Sequence, residues 1–178
     1  MWVGFTALGL IVLLAAAIGI MAFLGRRMPV NHTNTCVIRL PGVEPAAAWR
    51  TAYECESWPA WAGVDKVDIL EPGPEPAWRM KMGRNSMLCR TRSPKEPESF
   101  EIQVEDERAK IFTGVWRYRF ERDSAGGTRL TLVEDGAINM ALPRFMARKL
   151  ADPKMYMKRH LRLLARKYGV EQPEITDR

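Results

Sequence analysis

From Trp2 to Gly25 the chain reads WVGFTALGLIVLLAAAIGIMAFLG, 24 residues without a charged side chain. Coiled as a helix this stretch is about 36 Å long, enough to cross a hydrocarbon core of about 30 Å with some tilt. A helix satisfies its own backbone polar groups in lipid, and the Leu, Ile, Val and Phe side chains favour insertion by at most about −6 kcal/mol. A cleaved secretory leader would need a basic segment ahead of a shorter apolar core, yet nothing basic precedes Trp2 except the amino terminus. The expectation is an uncleaved anchor over residues 1–27. Arg26 and Arg27 flank it on one side, joined by Arg39 with no acid before Glu44, against a single methionine on the other. The positive-inside rule then puts everything after the anchor in the cytoplasm, giving a single-pass membrane protein.

Beyond the anchor the chain is long enough for one domain, expected over residues 35–169, after a polar linker (28–34) and before a polar tail (170–178). Thr35 to Leu40 alternates as a strand does and stops at Pro41-Gly42. Glu44-Pro45 opens an alanine-rich helix to Tyr53. The turn SWPAW then places Trp58 and Trp61 around Pro59, which rules out a simple extension of that helix. Six strands are predicted next, near 64–71, 77–83, 86–92, 98–106, 110–121 and 128–135, divided by Gly, Pro, Asn and Asp. Their period-2 pattern puts Trp78, Met80 and Met82, then Phe100, Ile102 and Val104, then Phe112, Trp116, Tyr118 and Phe120, and then Leu130 and Leu132 on one face. Such a sheet needs a cover. Pro143 and Asp152-Pro153 each start a helix, and in the second Met157, Leu161, Leu164 and Tyr168 share one side at helical spacing.

This order resembles the helix-grip fold of the SRPBCC superfamily, which includes START lipid-transfer domains, pollen-allergen-like proteins and polyketide cyclase-like proteins. The matching words are SWPAW, GVWRYRFE, GTRLTLVEDG and RFMARKL…MKRHLRLL, spread over residues 32–168. The resemblance implies an α+β domain in which a seven-stranded antiparallel sheet wraps around a long C-terminal helix, here preceded by one transmembrane helix. It also implies an apolar pocket between sheet and helix, with Trp58 and Trp61 near its mouth. Candidate ligand-binding residues are then Trp58, Trp61, Trp78, Met80, Met82, Phe100, Trp116, Tyr118 and Met146. Paired tryptophans also serve as plain core plugs, and a filled core is the competing reading of the same residues.

Catalytic material is sparse. His32 and His160 are the two histidines, one expected in the linker and one on a basic helix, and neither sits in a recognisable motif. Glu134 follows Leu130 and Leu132 on the inward phase and is the one candidate acid or base. Cys36, Cys55 and Cys89 lack metal-ligand or disulfide spacing and read as buried thiols, so neither a metal nor another cofactor is expected. Charge is concentrated late: Pro143 to Tyr168 holds nine Lys or Arg against Asp152, a local +8 in a chain of +6. Lys154, Lys158, Arg162 and Arg166 recur every four residues, a stripe suited to solvent or, together with Arg26 and Arg27, to anionic headgroups. No nucleic-acid motif accompanies it, so nucleic acid is not an expected partner. The expected function is binding of a hydrophobic small molecule or lipid at a membrane. A cyclase-like or hydrolytic enzyme using Glu134, or an interaction module with a filled core, are the alternatives.

Overall fold

The computed structural model describes residues 2–108 and 110–177, with side chains from Gly9 onward. Helix α1 (Trp2–Arg26) leads into β1 (Asn31–Leu40), α2 (Pro45–Tyr53) and a 3-10 turn (Cys55–Ala60). Next come strands β2 (Lys66–Glu71), β3 (Ala77–Met82), β4 (Asn85–Lys95), β5 (Ser99–Asp106), β6 (Phe112–Arg122) and β7 (Thr128–Ile138). Helices α3 (Ala141–Lys149) and α4 (Met155–Lys167) and a short β8 (Ile175–Asp177) complete the chain.

The strands form one antiparallel sheet in the order β2-β3-β4-β5-β6-β7-β1-β8. Consecutive strands from β2 to β7 are neighbours, as hairpin punctuation dictates, and β1 closes against β7 over its full length, from Asn31↔Ala137 to Leu40↔Thr128. The sheet has eight strands where seven were expected, because Ile175–Asp177 in the supposed polar tail pairs with Cys36–Ile38. Alternation is unreadable in a three-residue strand. The linker is also shorter than expected: β1 begins at Asn31, so only 27–30 separate it from α1.

The core lies between one sheet face and the helices. Ile38, Leu40, Phe100, Ile102, Tyr118, Leu130 and Leu132 on the strands meet Met157, Leu161 and Leu164 of α4, all essentially buried. At its far end α4 is tied to α2, where the Tyr168 hydroxyl donates to the Ala47 carbonyl (2.8 Å) and bonds Thr51 Oγ1 (2.6 Å). The C-terminal run is two helices, as Pro143 and Asp152-Pro153 predict, rather than the one long helix that the resemblance implies, since Asp152-Pro153 breaks the run between α3 and α4.

Helix α1 is long and apolar enough to cross a membrane, with mean hydropathy 2.2 over Gly9–Arg26. From Gly9 to Ile20 it stands clear of the domain, and at Met21, Ala22 and Gly25 it becomes partly or wholly covered, packing against α3. A Cβ on Gly25 would run into the Ala141 backbone, so only glycine permits this approach. The junction is locked by Arg144, 5% exposed, whose guanidinium donates to the carbonyls of Gly25 (3.2 Å), Met28 (3.1 Å), Ile138 (2.8 Å) and Asn139 (3.0 Å). Two of these carbonyls lie at or just past the C-terminal end of α1, where a helix leaves its acceptors unpaired and a cation is favoured.

Candidate functional site

Strand register stacks the inner-face residues in rows. One row runs Trp78, Cys89, Val104, Gly114, Gly136 and His32, and the next Thr91, Ile102, Trp116, Glu134 and Asn34. A third carries Phe100, Tyr118, Leu132 and Cys36. The paired glycines have no side chains, and the rings of His32 and Phe112 lie over them: a Cβ on Gly136 would come within 2.8 Å of both. This depression lets the His32 ring reach across to the neighbouring row.

There Glu134, 7% exposed, accepts three hydrogen bonds. Trp116 Nε1 donates to Oε2 (2.7 Å), Asn34 Nδ2 donates to Oε1 (3.2 Å), and His32 Nε2 lies 2.9 Å from Oε1. A carboxylate oxygen only accepts, so Nε2 carries a ring proton, and in the neutral ring Nδ1 is left with a lone pair. That Nδ1 is buried and has no partner among the described residues, and the same holds for Trp78 Nε1 and Thr91 Oγ1. All three lie on the inner face of the sheet. They are spread across it rather than grouped, Trp78 and His32 standing at opposite ends of one row and Thr91 on β4, and since buried polar atoms are nearly always satisfied, each marks a place where a water or a ligand's polar group fits.

Next to this polar seam sits His160. Its ring lies 5.2 Å from Trp58, 5.4 Å from Trp61, 5.8 Å from Trp116 and 6.0 Å from Tyr118, and Nε2 is 3.2 Å from the Tyr118 hydroxyl. Burial lowers its pKa to about 4, so the ring is neutral at physiological pH. The same burial pushes the Tyr118 hydroxyl well above its ordinary value.

Several expectations change here. His160 was expected on a basic helix and His32 in a linker; His160 is on that helix but buried against the sheet, and His32 belongs to β1 with its side chain largely covered. The signals were present: His160 falls between Met157 and Leu161 on the apolar side of α4, and the alternation of β1 carried back from Cys36 through Asn34 lands on His32. The space beneath α4, expected as an open pocket, holds the His160 ring and its aromatic neighbours. Trp58 is a core plug, 2% exposed and donating Nε1 to the Ala52 carbonyl (3.1 Å). Trp61, half-buried, stacks edge-on to it at 6.2 Å and borders solvent.

Of the other candidate residues, Trp78, Phe100 and Tyr118 are fully buried and Met80 nearly so. Met82 and Trp116 are half-buried, as are Met87 and Phe112 beside them. Met146 is 48% exposed on α3, outside this inner surface. A concavity of about 920 Å3 is lined by outward-phase residues such as Leu88, Gln103, Thr113, Val115 and Asp135, and at the glycine pair it also reaches His32, Cys89 and Val104 of the inner row. Asp135 in its lining pairs with Arg117, which also pairs with Glu101 (3.0 Å), and neither Trp78 nor Thr91 lines it.

The basic stripe is partly spent within the molecule. Lys158 Nζ pairs with Asp177 (2.9 Å) and Asp152 (3.1 Å), and Lys154 Nζ donates to the Thr35 carbonyl (3.3 Å) beside Asp177 (3.9 Å). These lysines fasten β8 to α4, which the sequence stripe did not suggest; Arg162 and Arg166 stay exposed, as do Arg26 and Arg27. Cys36, Cys55 and Cys89 are buried free thiols, and burial raises the first two to about 11. No group of three or more His, Cys, Asp or Glu suited to a metal occurs among the described residues.

The fold recurs widely among solved structures. The Zhui aromatase/cyclase from Streptomyces sp. R1128 superposes with a TM-score of 0.61 at 16% identity, over 79% of this chain and 92% of that one. A START superfamily protein from Mycobacterium smegmatis gives 0.60 at 14% identity, over 78% and 97%. The di-domain ARO/CYC StfQ of the steffimycin biosynthetic pathway gives 0.58 at 14% identity, over 78% of this chain, which spans only 50% of that protein's length. No curated protein sequence matches. These likenesses establish the helix-grip fold. A family model described as polyketide cyclase / dehydrase and lipid transport matches residues 34–169, most of the chain, and to that family this protein belongs.

Proposed function

We propose that this protein is a membrane-anchored binder of hydrophobic small molecules or lipids, and that the ligand lies on the inner face of the sheet at the Trp116–Glu134 end. The observation that carries the reading is the coincidence of two features on that surface. Phe112 and Trp116 remain half-buried there, two rings that offer apolar contact. Beside them is the buried Nδ1 of His32, with no protein partner among the described residues. An amphiphile with an apolar body and one polar group matches both. α1 supports membrane residence by length and composition, and Arg26 and Arg27 favour a cytoplasmic domain.

A second reading, a cyclase-like enzyme, is favoured by the Glu134–His32 pair. With Nε2–H held by the carboxylate, His32 presents Nδ1 as a base, the arrangement by which a carboxylate orients an imidazole for proton abstraction. The two readings separate on one preparation. The full chain in detergent micelles should capture a dansyl-labelled fatty acid saturably, with energy transfer from tryptophan, and Trp116→Ala should weaken that capture at least about tenfold if the ring supplies more than about 1.4 kcal/mol of contact. Capture by Trp116→Ala equal to that of the parent would refute the site. Conversion of a polyketone substrate that His32→Gln abolishes while capture persists would establish the enzyme reading.

A further inference from the structure

Apart from Val30 before β1 and Leu70 on β2, the large exposed apolar side chains that follow α1 gather at one corner. Met140 (50% exposed), Met146 (48%), Leu150 (67%), Met155 (48%) and Tyr156 (57%) all lie between the start of α3 and the first turn of α4. On α3, at about 100° per residue, Met146, Lys149 and Leu150 fall on the side opposite the buried Arg144. A surface of this kind on a water-facing domain is unusual and marks a contact.

Its position relative to α1 identifies the contact. Residues 2–20 extend about 28 Å at about 1.5 Å per residue, close to the hydrocarbon thickness, and from Gly9 to Ile20 every residue is exposed. The segment from Met21 to Arg26, where α1 packs on α3, therefore falls at the headgroup level. Arg144 fixes the two helices through the Gly25 and Met28 carbonyls, so α3 has no freedom to swing away from that depth. Tyrosine and methionine beside Arg26, Arg27, Arg148 and Lys149 form the mixture that lies at the boundary between acyl chains and phosphates.

We infer that the α3–α4 corner is a membrane-docking surface, seated in the interfacial zone of the bilayer that α1 spans, with Met146, Leu150, Met155 and Tyr156 against the acyl boundary and Lys149 among the headgroups. The inference rests on α1 crossing the bilayer. Its consequence for the ligand site is direct. Pro153, in the same corner, accepts from Asn34 Nδ2 (3.5 Å), which also donates to Glu134, so the docked surface borders the polar seam.

The test uses the full chain in vesicles of phosphatidylcholine and phosphatidylserine. A single bimane probe is attached through Met146→Cys or Leu150→Cys; the three native thiols are buried and stay unlabelled in the folded protein. Leu13→Cys reports on the anchor and Gln103→Cys on the outer sheet face. Lipids spin-labelled near the carbonyl should quench the probes at 146 and 150 strongly, those labelled near the chain end should quench the probe at 13, and neither should affect 103. If 13 is quenched and 146 and 150 are not, the docking surface is wrong while the anchor stands. If 13 is unquenched as well, α1 does not span and both fall.

Discussion

Replacing Glu134 by leucine removes the acceptor on which three donors converge, and its cost follows from their surroundings. Trp116 Nε1, His32 Nε2 and Asn34 Nδ2 would each lose a bond to a carboxylate, and an orphaned buried donor costs about 1–3 kcal/mol. The lower end applies here. The His32 side chain is 14% exposed, Asn34 keeps the Pro153 carbonyl, and Trp116 is half-buried, so each can recover part of its bonding. About 1 kcal/mol per donor gives about 3 kcal/mol for Glu134→Leu. Glu134→Gln keeps the shape and one acceptor: its oxygen can face Trp116, and its amide can donate to His32 once the ring shifts its proton to Nδ1. That variant should lose about 1 kcal/mol. With a urea slope near about 2 kcal/mol/M, the two differ by about 1 M in midpoint, followed on the full chain in micelles by tryptophan fluorescence and near-UV circular dichroism. A leucine variant as stable as the parent would refute the assignment of Glu134 as a structural acceptor and leave its chemistry as the reason for a buried acid.

His160 should make stability depend on pH. Its pKa falls from 6.5 in the unfolded chain to about 4 in the fold, so the unfolded state binds the extra proton between those values. The stability it supports is complete above about pH 6.5, declines as pH drops toward 4 and levels off below, a loss of up to about 3 kcal/mol. Subtracting the profile of His160→Phe from that of the parent isolates this slope from the carboxylates, and parallel profiles would show that the imidazole is not buried. Arg144→Met keeps most of the side-chain stem but abandons four carbonyls, and should cost about 2–4 kcal/mol, with hydrogen exchange rising first in residues 25–30 and at the start of α3. Unchanged exchange there would mean that the anchor and domain are coupled by packing alone. Changing Lys158 to glutamine should release β8, exposing the Cys36 thiol now covered beside Asp177, read as faster reaction with a thiol reagent; an unchanged rate would show that backbone pairing holds the strand unaided.

Local pattern in the sequence is enough to place the elements and their faces. An uncharged run of 24 residues can hardly be other than a membrane-length helix or a leader, and the alternation in KIFTGVWRYRF and TRLTLVEDG assigns every inward side chain of β6 and β7, Glu134 among them. These are local periodicities, fixed by backbone geometry before any tertiary contact forms. Contacts across the fold are not local. His32 and Glu134 are 102 positions apart, and only the full-length pairing of β1 with β7, over a glycine pair that lets the ring lie down, brings them to 2.9 Å. His160 and Tyr118 likewise meet because α4 packs its apolar side on the sheet, turning a residue that composition assigns to a basic helix into the centre of an aromatic cluster. Lys154 and Lys158 belong to the helix face that the stripe predicts, but the partners that hold them arrive with β8, a strand too short to announce itself. Arg144 is one basic residue among nine in its segment, and nothing in its neighbours marks it as the one that is buried. A guanidinium becomes a lock only when the end of α1, the end of β7 and the start of α3 converge on it, which is a property of the packed chain and not of any stretch of it.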